Sequence, residues 1–214
     1  MHMKKQYYFA KSFEEDFVLK TLVNKKKKDF QSIQNVIKTK IIKPNTYSFG
    51  RKKRLACTFL HKNYLKTYRP QGLIFKTNSK PDCIYPFDLS LLAQTEDLVV
   101  RYHKIKDKLD VYYNHKLIPG FKAFVFKDID GLLKKYPKSE KVWSSVNAFR
   151  EKNNFKKLSQ QKYKLIEYNE VIYNKPVEII PVAIFGYSKE SRKIAKELNL
   201  KHYINAKKFY EKNI

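Results

Sequence analysis

The chain has 214 residues, 43% hydrophobic and 15% aromatic, which suits a packed core and argues against wholesale disorder. Its 46 Lys and Arg against 20 Asp and Glu leave a net charge of +26, the balance expected of a protein that meets a polyanion, with nucleic acid the leading candidate. Five glycines nearly exclude Gly-rich phosphate loops, two cysteines cannot build a metal cluster alone, and no apolar run approaches the about 20 residues of a membrane span.

A cytoplasmic protein with reduced thiols and no membrane partner is therefore expected. The start, Met1-His2-Met3, reads as a cloning remnant ahead of the natural Met3, so a single domain over 3–214 is expected. The charge is uneven. Residues 1–80 carry 20 Lys and Arg but only 4 Asp and Glu, which makes the N-terminal third the candidate basic face.

In chain order, Ser12-Phe13-Glu14-Glu15 fits a capping box, and Phe13, Phe17 and Leu22 predict a short helix after it. Lys25 to Lys28 reads as a solvated loop. Phe30, Ile33 and Ile37 share one face of a second helix, which should end before Pro44. Runs rich in Val, Ile, Phe and Tyr predict strands at 55–60, 72–77, 98–103, 109–114 and 123–127. Lys106-Asp107-Lys108 reads as the turn of a hairpin between two of them. Val142, Val146 and Phe149 mark a third helix beside Trp143. Strands are predicted at 165–173 and 182–187, joined by a turn at Asn174 to Pro176. Ser188 caps a last helix carrying Ile194 and Leu198, and 201–204 adds a short strand. This order is not a strict strand–helix alternation. It predicts an α+β fold with a curved, mostly antiparallel or mixed sheet flanked by helices.

The run Glu167-Tyr168-Asn169-Glu170-Val171-Ile172 concentrates the chemistry. Alternation sets Tyr168, Glu170 and Ile172 on one face, so a carboxylate shares an apolar surface, which is costly unless it is paired or used.

Several short stretches stand in a telling order. Ile41-Ile42-Lys43-Pro44 ends a helix and a basic loop follows it. Leu55-Ala56-Cys57-Thr58-Phe59 is a short strand. Tyr168-Asn169-Glu170-Val171-Ile172 comes late, and Val182-Ala183-Ile184-Phe185-Gly186-Tyr187 leads into a Ser-led helix. Over roughly residues 28–200 this order resembles the ADP-ribosyltransferase-fold toxins of the DarT type, which modify bases of DNA. The resemblance implies a sheet of that family's kind, NAD as a substrate and Glu170 as the catalytic carboxylate. It also implies Arg51 and Arg54 on the NAD phosphates, Thr58 below the nicotinamide, and Tyr168 or Phe59 stacked on it. A carboxylate beside the ribose suits the oxocarbenium-like state through which that glycosidic bond breaks, and guanidinium forks suit phosphate. A protein antitoxin is a further partner expected of such a toxin. The segment Gln6 to Lys11 carries no His, where the family usually sets a His or Arg on its first strand.

Arg51-Lys52-Lys53-Arg54, followed by Lys62, Lys66 and Arg69 and interleaved with Tyr47, Phe49, Tyr64 and Tyr68, is the candidate nucleic-acid surface. Cations suit phosphates and flat rings suit splayed bases of DNA or RNA, so Lys52, Lys53, Tyr64, Lys66 and Arg69 are the expected contacts. Asp82, in Lys80-Pro81-Asp82, is the candidate first acid of a metal-dependent nuclease, although no acid-x-Lys partner follows at usable spacing. His61, His103, His115 and His202 lack metal-ligand spacing, so no metal site is expected. Three readings stand: an ADP-ribosyltransferase-like enzyme acting on nucleic acid, a non-enzymatic basic nucleic-acid-binding module, and a nuclease.

Overall fold

A computed structural model describes residues 7–13, 18–19, 31–44, 54–88, 99–103, 108–113, 116–117 and 121–214. The first strand is β1 (Tyr8–Ser12). The pair β2 (Val18–Leu19) and β3 (Gln31–Ser32) precedes helix α1 (Ile33–Thr39) and β4 (Ile41–Ile42). Next come β5 (Leu55–Leu60), β6 (Gly72–Lys76), β7 (Cys83–Tyr85), β8 (Val99–His103), β9 (Lys108–Tyr113) and β10 (Lys116–Leu117). A 3-10 turn at Phe121–Phe124 leads to α2 (Ile129–Lys135) and α3 (Ser139–Lys152). A second 3-10 turn at Gln160–Leu165 leads to β11 (Glu170–Tyr173), β12 (Val177–Glu178), β13 (Ile180–Phe185), α4 (Lys189–Glu197), β14 (Lys201–Tyr203) and α5 (Ala206–Asn213).

Seven strands form the main sheet, in the order β14-β13-β6-β1-β5-β11-β7. Only β13 and β14 run parallel, joined through α4; the other neighbours are antiparallel. The fold is thus α+β with a mostly antiparallel sheet, as expected. Strands β8, β9 and β10 make a separate antiparallel meander, in which Val99 to His103 pair with Tyr112 to Lys108. The turn expected at residues 106–108 falls largely outside the described residues.

Alternation splits the core between the two faces of the main sheet. Phe9, Leu55, Cys57, Phe59, Leu73, Phe75 and Ile184 face the larger cluster, together with Ile33 and Val36 of α1, Leu132 of α2, Val142 and Val146 of α3, and Ile194 of α4. Ala10, Leu60, Ile74, Ala183 and Phe185 face a smaller one, closed by Ala206 and Phe209 of α5. Two close approaches hold the centre. A methyl added at Gly72 would lie 2.2 Å from the Lys11 carbonyl oxygen, and Gly186 turns at φ +155° between β13 and α4.

Several expectations hold as read. β5 spans Leu55–Leu60, α1 ends before Pro44, and Ser188 accepts the Ser191 N–H at 3.1 Å to cap α4, but Ile41–Ile42, expected to end the helix, instead form β4 and pair with Val177–Glu178. Others are corrected. Val18–Leu19 is not helical but pairs with Gln31–Ser32, and Ser12 ends β1, its hydroxyl accepting the Arg69 N–H at 3.1 Å. Glu14, Glu15, Phe17, Leu22, Phe30 and the run Lys25 to Lys28 lie outside the described residues. The strand expected at 123–127 is a 3-10 turn plus one bridge, Phe126 to Ile84, because its rings Phe124 and Phe126 pack on Tyr136 instead of alternating across a ladder. The strand expected from Leu165 begins only at Glu170, since a 3-10 turn takes Gln160–Leu165. Strands β1 and β7 and helices α2 and α5 were not expected. Among the described residues no helix is long and apolar enough to cross a membrane.

Candidate functional site

The site grows from three neighbouring strands at one end of the main sheet. Register pairs Ile172 with both Ala56 of β5 and Cys83 of β7, and Glu170 with Tyr85. Alternation therefore gathers Arg54, Ala56, Thr58, Cys83, Tyr85, Ile172 and Glu170 on one sheet face. On this face the smaller cluster under α5 reaches Leu60, and beyond it the buried Ile172 and Tyr85 belong to the larger cluster and stand among the polar side chains. Arg54, Thr58 and Asp88 are each no more than 6% exposed, and Asn169 is fully buried.

Asn169 sets the geometry. Its side-chain carbonyl accepts the Phe59 N–H and its amide donates to the Phe59 carbonyl, both at 2.9 Å, while Thr58 Oγ1 donates to the Asn169 carbonyl at 3.2 Å. This side chain continues the β5–β11 ladder one rung past Val171, and so holds the next residue, Glu170, against β5. Both polar atoms of the buried Asn169 side chain thus have a partner, as low dielectric demands.

Electrostatics link the groups around Glu170. The Lys11 amine donates to the Ala56 carbonyl at 2.8 Å; burial lowers its pKa, while the neighbouring Cys57 and Glu170 pull it back up. Burial pushes the Cys57 thiol up to about 12, against the pull of Lys11. The Cys83 thiol donates to the Tyr85 hydroxyl at 3.5 Å; burial raises its pKa, and Tyr85 and Arg54 oppose that rise. The Tyr168 hydroxyl donates to the Asp88 carboxylate, and burial, Asp88 and Glu170 all hold that phenol protonated. Lys11 and Arg54 thus share neighbours with Glu170: Cys57 for the first, Cys83 and Tyr85 for the second.

No protein-family model matches the chain, and neither a curated protein nor a solved structure matches it significantly.

Of the residues expected at a transfer site, Arg54, Thr58, Tyr168 and Glu170 come together. Arg51, Lys52 and Lys53 lie outside the described residues, as do Tyr47 and Phe49. Phe59, expected as a stacking ring, is instead a core residue, fully buried against Tyr7 and Tyr64. Tyr64 is likewise corrected from the expected nucleic-acid surface: it is fully buried and its hydroxyl donates to the Tyr136 carbonyl at 2.7 Å. Lys66 and Arg69 stay at the surface, Lys66 paired with Glu167 and Arg69 lying 5.0 Å over the ring of Tyr68.

Asp82 has a structural role. It accepts the Asn174 N–H at 2.7 Å, tying down the turn after β11. Among the described residues no group of three or more His, Cys, Asp or Glu could hold a metal ion. His202 Nε2 sits 3.1 Å from Ser191 Oγ and 3.0 Å from the Gly186 carbonyl, remote in the fold from Glu170 on the far strand β14. Sequence reading missed Lys11 and Tyr85. A lone Lys in the run Tyr7-Tyr8-Phe9-Ala10-Lys11 was the signal for the first; nothing local marks the second.

Proposed function

We propose that the chain transfers ADP-ribose from NAD to nucleic acid, with Glu170 as the catalytic carboxylate. One observation supports this reading: Glu170, Thr58 and Arg54, up to 116 residues apart in sequence, converge on one sheet face, with the Lys11 amine near enough to Glu170 to feel its charge. A net charge of +26 supplies the attraction for the acceptor.

In this reaction the bond between nicotinamide and ribose breaks, and nicotinamide leaves with the electron pair. The ribosyl carbon left behind carries oxocarbenium character, which the Glu170 carboxylate stabilises. A nucleophilic atom of the nucleic acid then bonds to that carbon, and its proton passes to Glu170. Thr58 lines the floor of the site. Arg54 is only 4% exposed, so its charge acts from within the sheet. Tyr168, locked to Asp88, forms the wall on which the nicotinamide ring rests.

The test is incubation with NAD labelled in the adenylate, together with single- and double-stranded DNA and RNA. Label on nucleic acid that disappears in Glu170→Gln is the expected result. Retention of nucleic acid that weakens with salt, without label or nicotinamide release, would replace the transferase with a binding module.

A further inference from the structure

Large exposed rings are few among the described residues, and Tyr68 is 58% exposed. Its neighbours hold it in place. Arg69 lies 5.0 Å over its ring, and Tyr168 meets it edge to face with centroids 6.2 Å apart and planes at 71°. The backbone around it is tied as well. The Arg69 N–H donates to Ser12 Oγ, Thr67 Oγ1 donates to the Arg69 carbonyl at 2.8 Å, and Lys66 pairs with Glu167. An exposed tyrosine held on several sides loses little freedom when a second flat ring stacks on it. The guanidinium beside it adds attraction for a phosphate.

Position gives this ring a role. Tyr168, which Tyr68 touches, stands two residues from Glu170 and feels its charge. We propose that Tyr68, braced by Tyr168 and with Arg69 over one face of its ring, is a stacking platform that seats an unpaired nucleobase beside Glu170. The proposal deepens the transferase reading and rests on it for the identity of the site. A base inside a duplex has both faces covered by its neighbours, so this platform selects bases that are already unstacked or can be flipped out. The nucleobase is chosen over the adenine of NAD because Arg69 and Lys66, both exposed and close in sequence to Tyr68, suit the phosphates of a chain.

The test measures fluorescence anisotropy of a labelled single-stranded oligonucleotide and of its duplex, alongside NAD binding by calorimetry and the labelled transfer assay. Tyr68→Ala is expected to weaken single-strand binding about tenfold or more and to leave the slope of affinity against salt unchanged, because a stacked ring carries no charge. Tyr68→Phe, which keeps the ring, is expected to restore it. Arg69→Ala is expected to lower the salt slope by about one. Wild-type oligonucleotide affinity in Tyr68→Ala overturns the platform, as does an equal loss on duplex, or a loss confined to NAD. The two readings fail separately. Tyr68-dependent single-strand binding in a protein that never transfers label sinks the transferase and keeps the platform. Transfer that is indifferent to Tyr68→Ala does the reverse.

Discussion

The carboxamide of Asn169 replaces a backbone rung beside Phe59, meeting both its N–H and its carbonyl at 2.9 Å. Asn169→Ala leaves both buried groups unpaired, and each such loss costs about 1–3 kcal/mol. A drop in stability of about 2–4 kcal/mol is expected, seen as a lower urea midpoint with unchanged slope. Asn169→Asp keeps the acceptor but loses the donor and buries a charge, so it should be at least as damaging. A wild-type midpoint for the alanine variant would show that the rung adds nothing.

Gly72 pairs with Ser12 across β6 and β1. A methyl there meets the Lys11 carbonyl oxygen at 2.2 Å and the Phe185 ring at 2.8 Å. Backbone on one side and a buried ring on the other leave no room to relax. Gly72→Ala should therefore cost about 1–3 kcal/mol despite removing a glycine from a strand, where the opposite sign is the usual expectation. Thermal melting checks the sign directly.

Lys11→Met keeps the apolar stem and removes the interior charge. The Ala56 carbonyl loses a donor at 2.8 Å, yet the cost of burying an ammonium also disappears, so stability should change little. In the proposed transfer reaction label on nucleic acid should fall, because Glu170 loses a cation that feels its charge. Turnover equal to wild type would remove Lys11 from the site.

The two cysteines, both free, should differ in reactivity. Burial holds Cys57 at about 12, far above the ordinary thiol, and its side chain is 5% exposed. Cys83 is only half-buried. At pH 8 one thiol should react slowly with a disulfide reagent in the folded protein, and the second only on unfolding. Cys83→Ser identifies which is which: in that variant the folded protein should show no reaction.

His202 gives stability a pH dependence. Burial lowers its pKa below the ordinary 6.5, Arg192 adds to that, and the Gly186 carbonyl opposes it. The unfolded chain therefore takes up the proton first. Stability should be full above about pH 7, fall as pH drops through 6.5, and stop falling from this cause below the depressed folded value. In His202→Gln the fall as pH drops through 6.5 should be shallower than in wild type. Parallel profiles for the two proteins would assign the acid sensitivity elsewhere.

Local pattern was enough for much of the fold. Leu55–Leu60 and Gly72–Lys76 are apolar and rich in strand-forming residues, and Ser188 stands where a hydroxyl can cap a helix. Glu170 stood out because a carboxylate alternates there with apolar neighbours. Tertiary structure decided the rest. Three residues make β7, too few for any periodic signal, and its place at the sheet edge comes from pairing with β11, more than eighty residues away in sequence. The Phe13 N–H donates to the Gln71 carbonyl at 3.1 Å as the chain leaves β1, a strand paired on both sides by segments more than forty residues away, which no local pattern shows. Tyr64 and Tyr68 have the same composition around them, yet one is fully buried and the other 58% exposed. A ring's own sequence neighbours set its appetite for burial. Only the strands and helices brought to it from elsewhere in the chain determine whether that appetite is met, and this is why the core rings and the candidate platform could not be told apart before the fold was known.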